Sequence, residues 1–142
     1  MGFKEYLMEN VVIKNDKLMR LLNITIEEAR EDYARATMPL TNDNLNGMGV
    51  AHGGAIFSLA DIAFGSAANA GKHHCVVSLT SHMEFLRPGS VGPLVAEARL
   101  VRGGQHVMNY EVDIFDANEV LIAKCLSTGF RTSLPHPAGE GK

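Results

Sequence analysis

A glycine-rich run leads into the longest apolar segment of the chain, and the two together decide the fold: Asn46-Gly47-Met48-Gly49-Val50-Ala51-His52-Gly53-Gly54, then residues 55–70. Four of the nine residues in the run are glycines, which tolerate positive φ and let a ligand approach the backbone closely. The segment that follows contains almost no helix breaker and predicts a helix. The run therefore delivers unpaired N–H groups at a helix N-terminus, which favours an anion or oxyanion.

Asp61 is the only charged residue of the predicted helix, and apolar side chains surround it on nearly every side. Burial of an unpaired carboxylate is costly or raises its pKa, so the position needs a compensating partner or a function. A stripe of small or polar residues passes through it: Gly54, Ser58, Asp61, Gly65 and Ala68. Asp61 could cap a backbone group or pair with a basic residue. The adjoining glycine loop favours chemistry instead.

These residues resemble the signature of the PaaI-like branch of hotdog-fold acyl-CoA thioesterases, in the 4-hydroxybenzoyl-CoA thioesterase-like superfamily. Spacing and identity agree at Asn46, Gly49, His52, Gly53, Gly54 and Asp61, with Leu59-Ala60 just before the acid. The resemblance continues through Ser78, Phe85-Leu86-Arg87-Pro88 and Arg102-Gly103-Gly104. It covers most of residues 40–130.

The resemblance implies an α+β hotdog fold, an antiparallel β-sheet wrapped around one long central helix. The sequence pattern agrees, because it predicts strands over residues 24–28 and 33–40 before the helix and over 75–86, 94–100, 108–114 and 120–130 after it. We expect an N-terminal helical segment at 1–22, one hotdog domain at 23–132 and an unstructured tail at 133–142. Within the first segment, residues 3–10 predict a helix and Asp16 predicts the N-cap of a short one.

A homodimer is expected, because one small sheet cannot cover a helix that is apolar on nearly all sides. The resemblance implies side-by-side pairing, often doubled to a homotetramer, with the active site between two subunits.

Each site residue acquires a role from the resemblance. The Gly53 N–H, with Gly54 second, would stabilise the oxyanion of a tetrahedral state, and Asp61 would act across the interface as base or nucleophile. Asn46 would orient water or the thioester carbonyl, His52 would shape the loop or position Asn46, and Ser78 would hold water or the acid. The ordinary alternatives are a turn asparagine, a structural histidine and a plain strand serine.

Coenzyme A is the expected leaving group, as part of the substrate, and no resident cofactor is expected. Its phosphates would lie near Arg87, Arg102 and the Gly103-Gly104 turn, whose amides can bind anions. Arg87 could instead cap a turn, and Arg102 could be a hairpin charge without a ligand. An aromatic or medium-chain acyl group would lie in a pocket lined by Phe57, Phe64 or His82.

Composition excludes several other classes of protein. The chain has 142 residues, 46% of them apolar and 20% charged, which is typical of a single soluble domain. A net charge of −3 without a basic cluster argues against nucleic acid. Cys75 and Cys125 are too isolated for a zinc site, and no metal is expected. The lack of a signal peptide predicts a location in the cytoplasm. The apolar residues 50–71 are interrupted by His52 and Asp61, so no membrane span is expected.

Two alternative functions stay open at this point. A non-catalytic acyl-CoA sensor or carrier would use the same pocket, although Asp61 together with Asn46 argues against it. A hotdog dehydratase or hydratase would need an acid paired with a histidine for proton transfer to carbon, in a different motif.

Overall fold

A computed structural model describes residue 13 and residues 15–136 of the chain. Within them lie two helices and six strands: α1 Lys17–Leu21, β1 Thr25–Arg30, β2 Tyr33–Met38, α2 Gly53–Asn69, β3 His74–Phe85, β4 Leu94–Gly103, β5 Val107–Phe115 and β6 Leu121–Pro135. The strands form one antiparallel sheet in the order β1-β2-β4-β5-β6-β3, and α2 packs on its concave face. The predicted hotdog arrangement is confirmed.

Alanines line the contact between α2 and the centre of the sheet. Ala34 and Ala36 of β2 and their register partners Ala98 and Ala96 of β4 are fully buried. On the side of α2 that packs against the sheet the side chains are also small, among them the fully buried Ala63 and Ala67. Since alanine adds only a methyl group on either side, the helix backbone lies near the sheet and its position depends on these contacts.

Strand β3 forms one edge of the sheet and pairs only with β6 among the described strands. It is 12 residues long, and three of its apolar residues are largely exposed: Val77 (46%), Leu79 (57%) and Phe85 (53%). Its register with β6 shifts between Ser78 and Thr80, which marks Leu79 as the extra residue of a β-bulge. A long edge with exposed apolar side chains is suited to pairing with another strand.

The ends of the chain differ in part from expectation. Asp16 is the N-cap of α1, where its side chain accepts a hydrogen bond from the Met19 N–H (2.9 Å), as predicted. Strand β6 continues past the predicted end at residue 130 as far as Pro135, because it keeps pairing with the start of β3. The unstructured tail expected from residue 133 is wrong for Ser133, Leu134 and Pro135, which belong to β6. The helix predicted over residues 3–10 and the tail residues 137–142 lie outside the described residues. No helix in the described part of the chain is long and apolar enough to cross a bilayer.

Candidate active site

The start of α2 carries a backbone donor at Gly53. His52 is the N-cap, with φ −64° and ψ 134°, and its Nδ1 accepts a hydrogen bond from the Gly54 N–H (2.9 Å). The Gly54 amide is therefore engaged, and the prediction that it serves as a second oxyanion donor is wrong. Within residues 15–136 no hydrogen bond involves the Gly53 N–H. That donor lies at the positive end of the helix dipole, where a developing negative charge is stabilised.

Asn46 organises the loop before the helix. Its Oδ1 accepts hydrogen bonds from the N–H groups of Met48 (2.9 Å) and Val50 (3.3 Å), and its own N–H donates to the Val50 carbonyl (2.8 Å). Gly49 adopts φ +79°, which glycine tolerates without strain. Because the side-chain oxygen is used by the loop, only the amino hydrogens of Asn46 remain for a ligand. Asn46 can donate to a thioester carbonyl or to water, but it has no oxygen left to accept.

Asp61 lies on a face of α2 that the sheet leaves open. The predicted burial on nearly every side is wrong for the single chain: Asp61 and Gly54 are exposed, and Ser58 and Gly65 are half-buried. Of the predicted stripe only Ala68 is buried, because it faces the sheet. The apolar pattern of the helix concealed this open side, since small residues such as glycine and alanine are compatible with either environment.

The Asp61 carboxylate lines a groove of about 280 Å³ together with Asp16, Met19, Phe64, Val76 and Ser78. No hydrogen bond or ion pair engages it within the described part of the chain. Partial burial against the groove walls raises the pKa of the Asp61 carboxyl above its usual range, and the like charge of Asp16 adds to the rise. An unpaired carboxylate with a raised pKa, at the rim of a groove, is suited to general-base catalysis.

The predicted site residues fall into two separate grooves. Asn46 and Gly53 line a second groove, of about 320 Å³, with Phe85 and Arg87. Asp61 and Ser78 line the first. Along α2 the Gly53 and Asp61 positions are about 12 Å apart, at 1.5 Å per residue. In one chain, the acid cannot reach a carbonyl bound at the Gly53 N–H.

The residues expected to bind the coenzyme A phosphates are also separated. The Arg87 guanidinium lines the second groove and donates to the Leu121 carbonyl (3.0 Å). Arg102 and Gly103 belong to the β4–β5 hairpin, where they pair with Asn109 and Met108 at the other end of the sheet. The Gly104 N–H donates to the Val107 carbonyl (2.9 Å), so the expectation that this amide binds an anion is wrong.

The other candidate groups divide as follows. Phe64 lines the Asp61 groove and packs edge-on against Tyr110 at 5.4 Å. His82 lies on the outer face of the sheet, bonded to Glu84 (2.7 Å), and so cannot line the pocket as predicted. Both cysteines are free, and no cluster suited to a metal ion exists among the residues that the structure describes.

Two neighbours of the site receive no role from the sequence, although Phe85 belongs to the stretch Phe85-Leu86-Arg87-Pro88 that carries the resemblance. Phe85 covers the helix start, since a Cβ at Gly53 would lie 3.4 Å from the Phe85 Cζ. Asn44 is buried beneath the loop, where it accepts from Thr41 N–H (2.9 Å) and donates to the Pro39 carbonyl (2.8 Å). An asparagine in a polar turn predicts an Asx turn, but only the folded chain reveals that this one anchors the loop from below.

Comparison with known proteins agrees with this geometry. The thioesterase superfamily model matches residues 48–123. The acyl-coenzyme A thioesterase PaaI of Escherichia coli K12 is 34% identical over 124 residues, covering 87% of this chain and 88% of the relative. The solved structure of the E. coli PaaI protein from the phenylacetic acid degradation operon is similar with a TM-score of 0.83 and 32% identity, covering 87% of this chain and 90% of that one.

A second solved structure, of smu.793 from Streptococcus mutans UA159 bound to acetyl CoA, has a TM-score of 0.73 and 26% identity, covering 80% of this chain and 91% of that one. The family match spans the helix start, the acid and most of the sheet, which are the elements that carry the two grooves. The chain belongs to the thioesterase superfamily, as a PaaI-like thioester hydrolase with the hotdog fold.

Proposed function

We propose that this chain hydrolyses an acyl-CoA thioester to the free acid and coenzyme A, with an aromatic acyl group of the phenylacetyl or hydroxybenzoyl type, or a medium-chain one. The observation that carries the proposal is the pair of unengaged groups on α2, the Gly53 N–H and the Asp61 carboxylate. The name of the E. coli relative and the acetyl CoA bound by the S. mutans protein support the substrate class.

The chemistry follows from what each group can do. The Gly53 N–H, with the amino group of Asn46, binds the thioester oxygen, which gains negative charge in the tetrahedral state. Asp61 removes a proton from water as the water oxygen attacks the carbonyl carbon, and then returns that proton to the departing thiolate. In the alternative route the Asp61 oxygen attacks directly, expels the thiolate and forms an anhydride that water hydrolyses.

The site is completed by a second copy of the chain. Ser78 and Phe85 lie toward opposite ends of β3, one in each groove. If two β3 edges pair antiparallel about a two-fold axis, the Ser78 end of one strand lies beside the Phe85 end of the other. The Asp61 groove of one chain then faces the Gly53 groove of its partner, and each dimer has two equivalent sites. We propose a homodimer as the catalytic unit and a homotetramer as a pair of such dimers.

The same symmetry accounts for the separated phosphate-binding candidates. Antiparallel pairing brings Arg87 of one chain toward the sheet end that carries Arg102 and Gly103 in the other. Two arginines from different chains can then flank the coenzyme A phosphates, as bidentate guanidinium groups commonly do. The free thiols of Cys75 and Cys125 suit a reducing compartment, and we place the enzyme in the cytoplasm.

Thiol release from a panel of short, medium, long and aromatic acyl-CoAs tests the proposal. We expect turnover of at least one thioester by the wild-type chain and loss of that turnover in Asp61→Asn. Asp43→Asn is the matched control, because Asp43 is an exposed aspartate of the loop outside both grooves.

No thiol release from any thioester would refute the proposal. In that event, thermal stabilisation of the wild-type chain by acyl-CoA would indicate a sensor or carrier. Undiminished turnover by Asp61→Asn would remove Asp61 from the mechanism.

A further inference from the structure

A row of hydroxyl groups runs from the buried sheet to the Asp61 groove. Ser127 of β6 is 1% exposed, and its Oγ lies 2.9 Å from the Oγ of Ser81 on β3. The Ser81 Oγ lies 3.4 Å from the Oγ of Ser78, which lines the groove. At the buried end, the Cys125 Sγ is 3.5 Å from the Ser127 Oγ.

The β-bulge at Leu79 makes this row possible. In a regular strand, residues three apart point to opposite faces, so Ser78 and Ser81 would not meet. The extra residue restores the same face to both: Ser78 pairs with Gly129, and Ser81 pairs with Ser127. Both partners face the helix, since Ser127 is buried and a Cβ at Gly129 would lie 3.2 Å from the Phe64 Cζ.

We propose that Ser127 and Ser81 are positioning residues, which hold the Ser78 hydroxyl so that its proton points toward Asp61 or the attacking water. The proposal rests on the function proposed above, with Ser78 as the member of the row that contacts the reacting groups. The three hydroxyls can share one polarity, in which Ser127 donates to Ser81 and Ser81 donates to Ser78, and each bond strengthens the next. The Ser78 hydrogen is then left for the groove.

The Cys125 thiol lies at the buried end of the row. Burial is the main cause that raises the pKa of the Cys125 thiol; the hydrogen bond with Ser127 lowers the pKa, and the negative charge of Asp61 raises it. The net shift is upward, so the thiol keeps its proton, and either the Cys125 Sγ or the Ser127 Oγ can be the donor in their contact. The 3.4 Å between Ser78 and Ser81 is long for a hydroxyl pair, and contacts of this kind commonly shorten when a ligand binds.

Steady-state kinetics of Ser127→Ala tests the proposal, with Thr128→Val as the matched control. Thr128 is the next residue of β6 and accepts a hydrogen bond from Asn109 (3.0 Å), but on the outer face of the sheet. We expect Ser127→Ala to lower kcat about five- to tenfold, the effect of one lost orienting hydrogen bond, with KM unchanged. Thr128→Val should leave both constants unchanged, and thermal melting should show that both variants fold.

The double variant Ser78→Ala/Ser127→Ala decides between positioning and a general structural effect. If Ser127 acts through Ser78, the double variant has the same kcat as Ser78→Ala alone. Multiplying effects, or a kcat of Ser127→Ala equal to that of Thr128→Val, would overturn the proposal. If instead the wild-type chain releases no thiol from any thioester, the proposed function itself fails, which is a distinct result.

Discussion

Restoration of activity in mixed dimers is the sharpest prediction from the two separated grooves. The two variants are Asp61→Asn, which removes the base, and Gly53→Pro, which removes the N–H donor. Proline is suited to this purpose because Gly53 is the first residue of α2, where proline is tolerated. The preceding His52 already has ψ 134°, the extended conformation that a residue before proline adopts.

The expected magnitudes follow from the geometry. Each variant alone should lose at least about a hundredfold in kcat, the usual effect of removing an oxyanion donor or a general base. The two groups are about 12 Å apart in one chain, so in the proposed dimer each site takes one group from each chain. A mixed dimer then has one site with both defects and one intact site. Random exchange makes half of the dimers mixed, so the equimolar mixture should recover about one quarter of the wild-type rate.

The assay is thiol release after the two variants are co-expressed with different affinity tags. Purification through both tags isolates the mixed dimers, which should have about half of the wild-type rate. Gly53→Ala serves as the control for the helix start, because it keeps the N–H and its Cβ would lie at an ordinary 3.4 Å from Phe85. Mixed dimers no more active than the single variants would refute a site built from two chains.

Two further predictions concern the acid and the sheet edge. Because the folded chain raises the pKa of Asp61, its charged form destabilises the fold as pH rises from the ordinary value of 3.8 through the raised one. At pH 7, Asp61→Asn should therefore melt at a temperature equal to or higher than that of the wild type. In a series of melting curves, the difference should disappear below pH 3.8. A lower melting temperature of Asp61→Asn at pH 7 would contradict this prediction. Leu79→Lys should place a charge on the β3 edge and convert dimers to inactive monomers, which a sizing column detects. Val101→Lys should leave the dimer intact, because Val101 is also 57% exposed but lies away from that edge. An intact, active dimer of Leu79→Lys would refute the pairing of β3 edges.

The local elements could be predicted because their causes are local. The glycine run, the apolar helix and the period-two strands each follow from residue types at short spacing, and the structure places a helix start at Gly53 and strands near the expected bounds. Asp16 as an N-cap belongs to the same class, since the cap acts on an amide three residues away.

The site geometry could not be predicted in the same way, because it depends on which side of α2 packs against the sheet and on the conformation of the loops. An apolar helix does not reveal which side the sheet covers, so the sequence predicts a surrounded Asp61, whereas the structure places it on an open face. The engaged amides of Gly54 and Gly104 depend on loop conformation. The bulge at Leu79 moves the side chain of every later residue of β3 to the opposite face of the sheet, and no residue type in the sequence predicts the bulge. That one insertion turns His82 outward and Ser81 inward.

The alanine contacts beneath α2 make the spacing of the reactive groups a property of the core. The contact surface formed by the alanine methyl groups has little room for a larger side chain at Ala36 or Ala96, so such a substitution would move the whole helix away from the sheet. Gly53 and Asp61 would then shift together, because both lie on this helix. In the proposed dimer each site takes one group from the helix of each chain, so a change at Ala36 or Ala96 would displace both groups, and residues far from the substrate are expected to tune its reactivity.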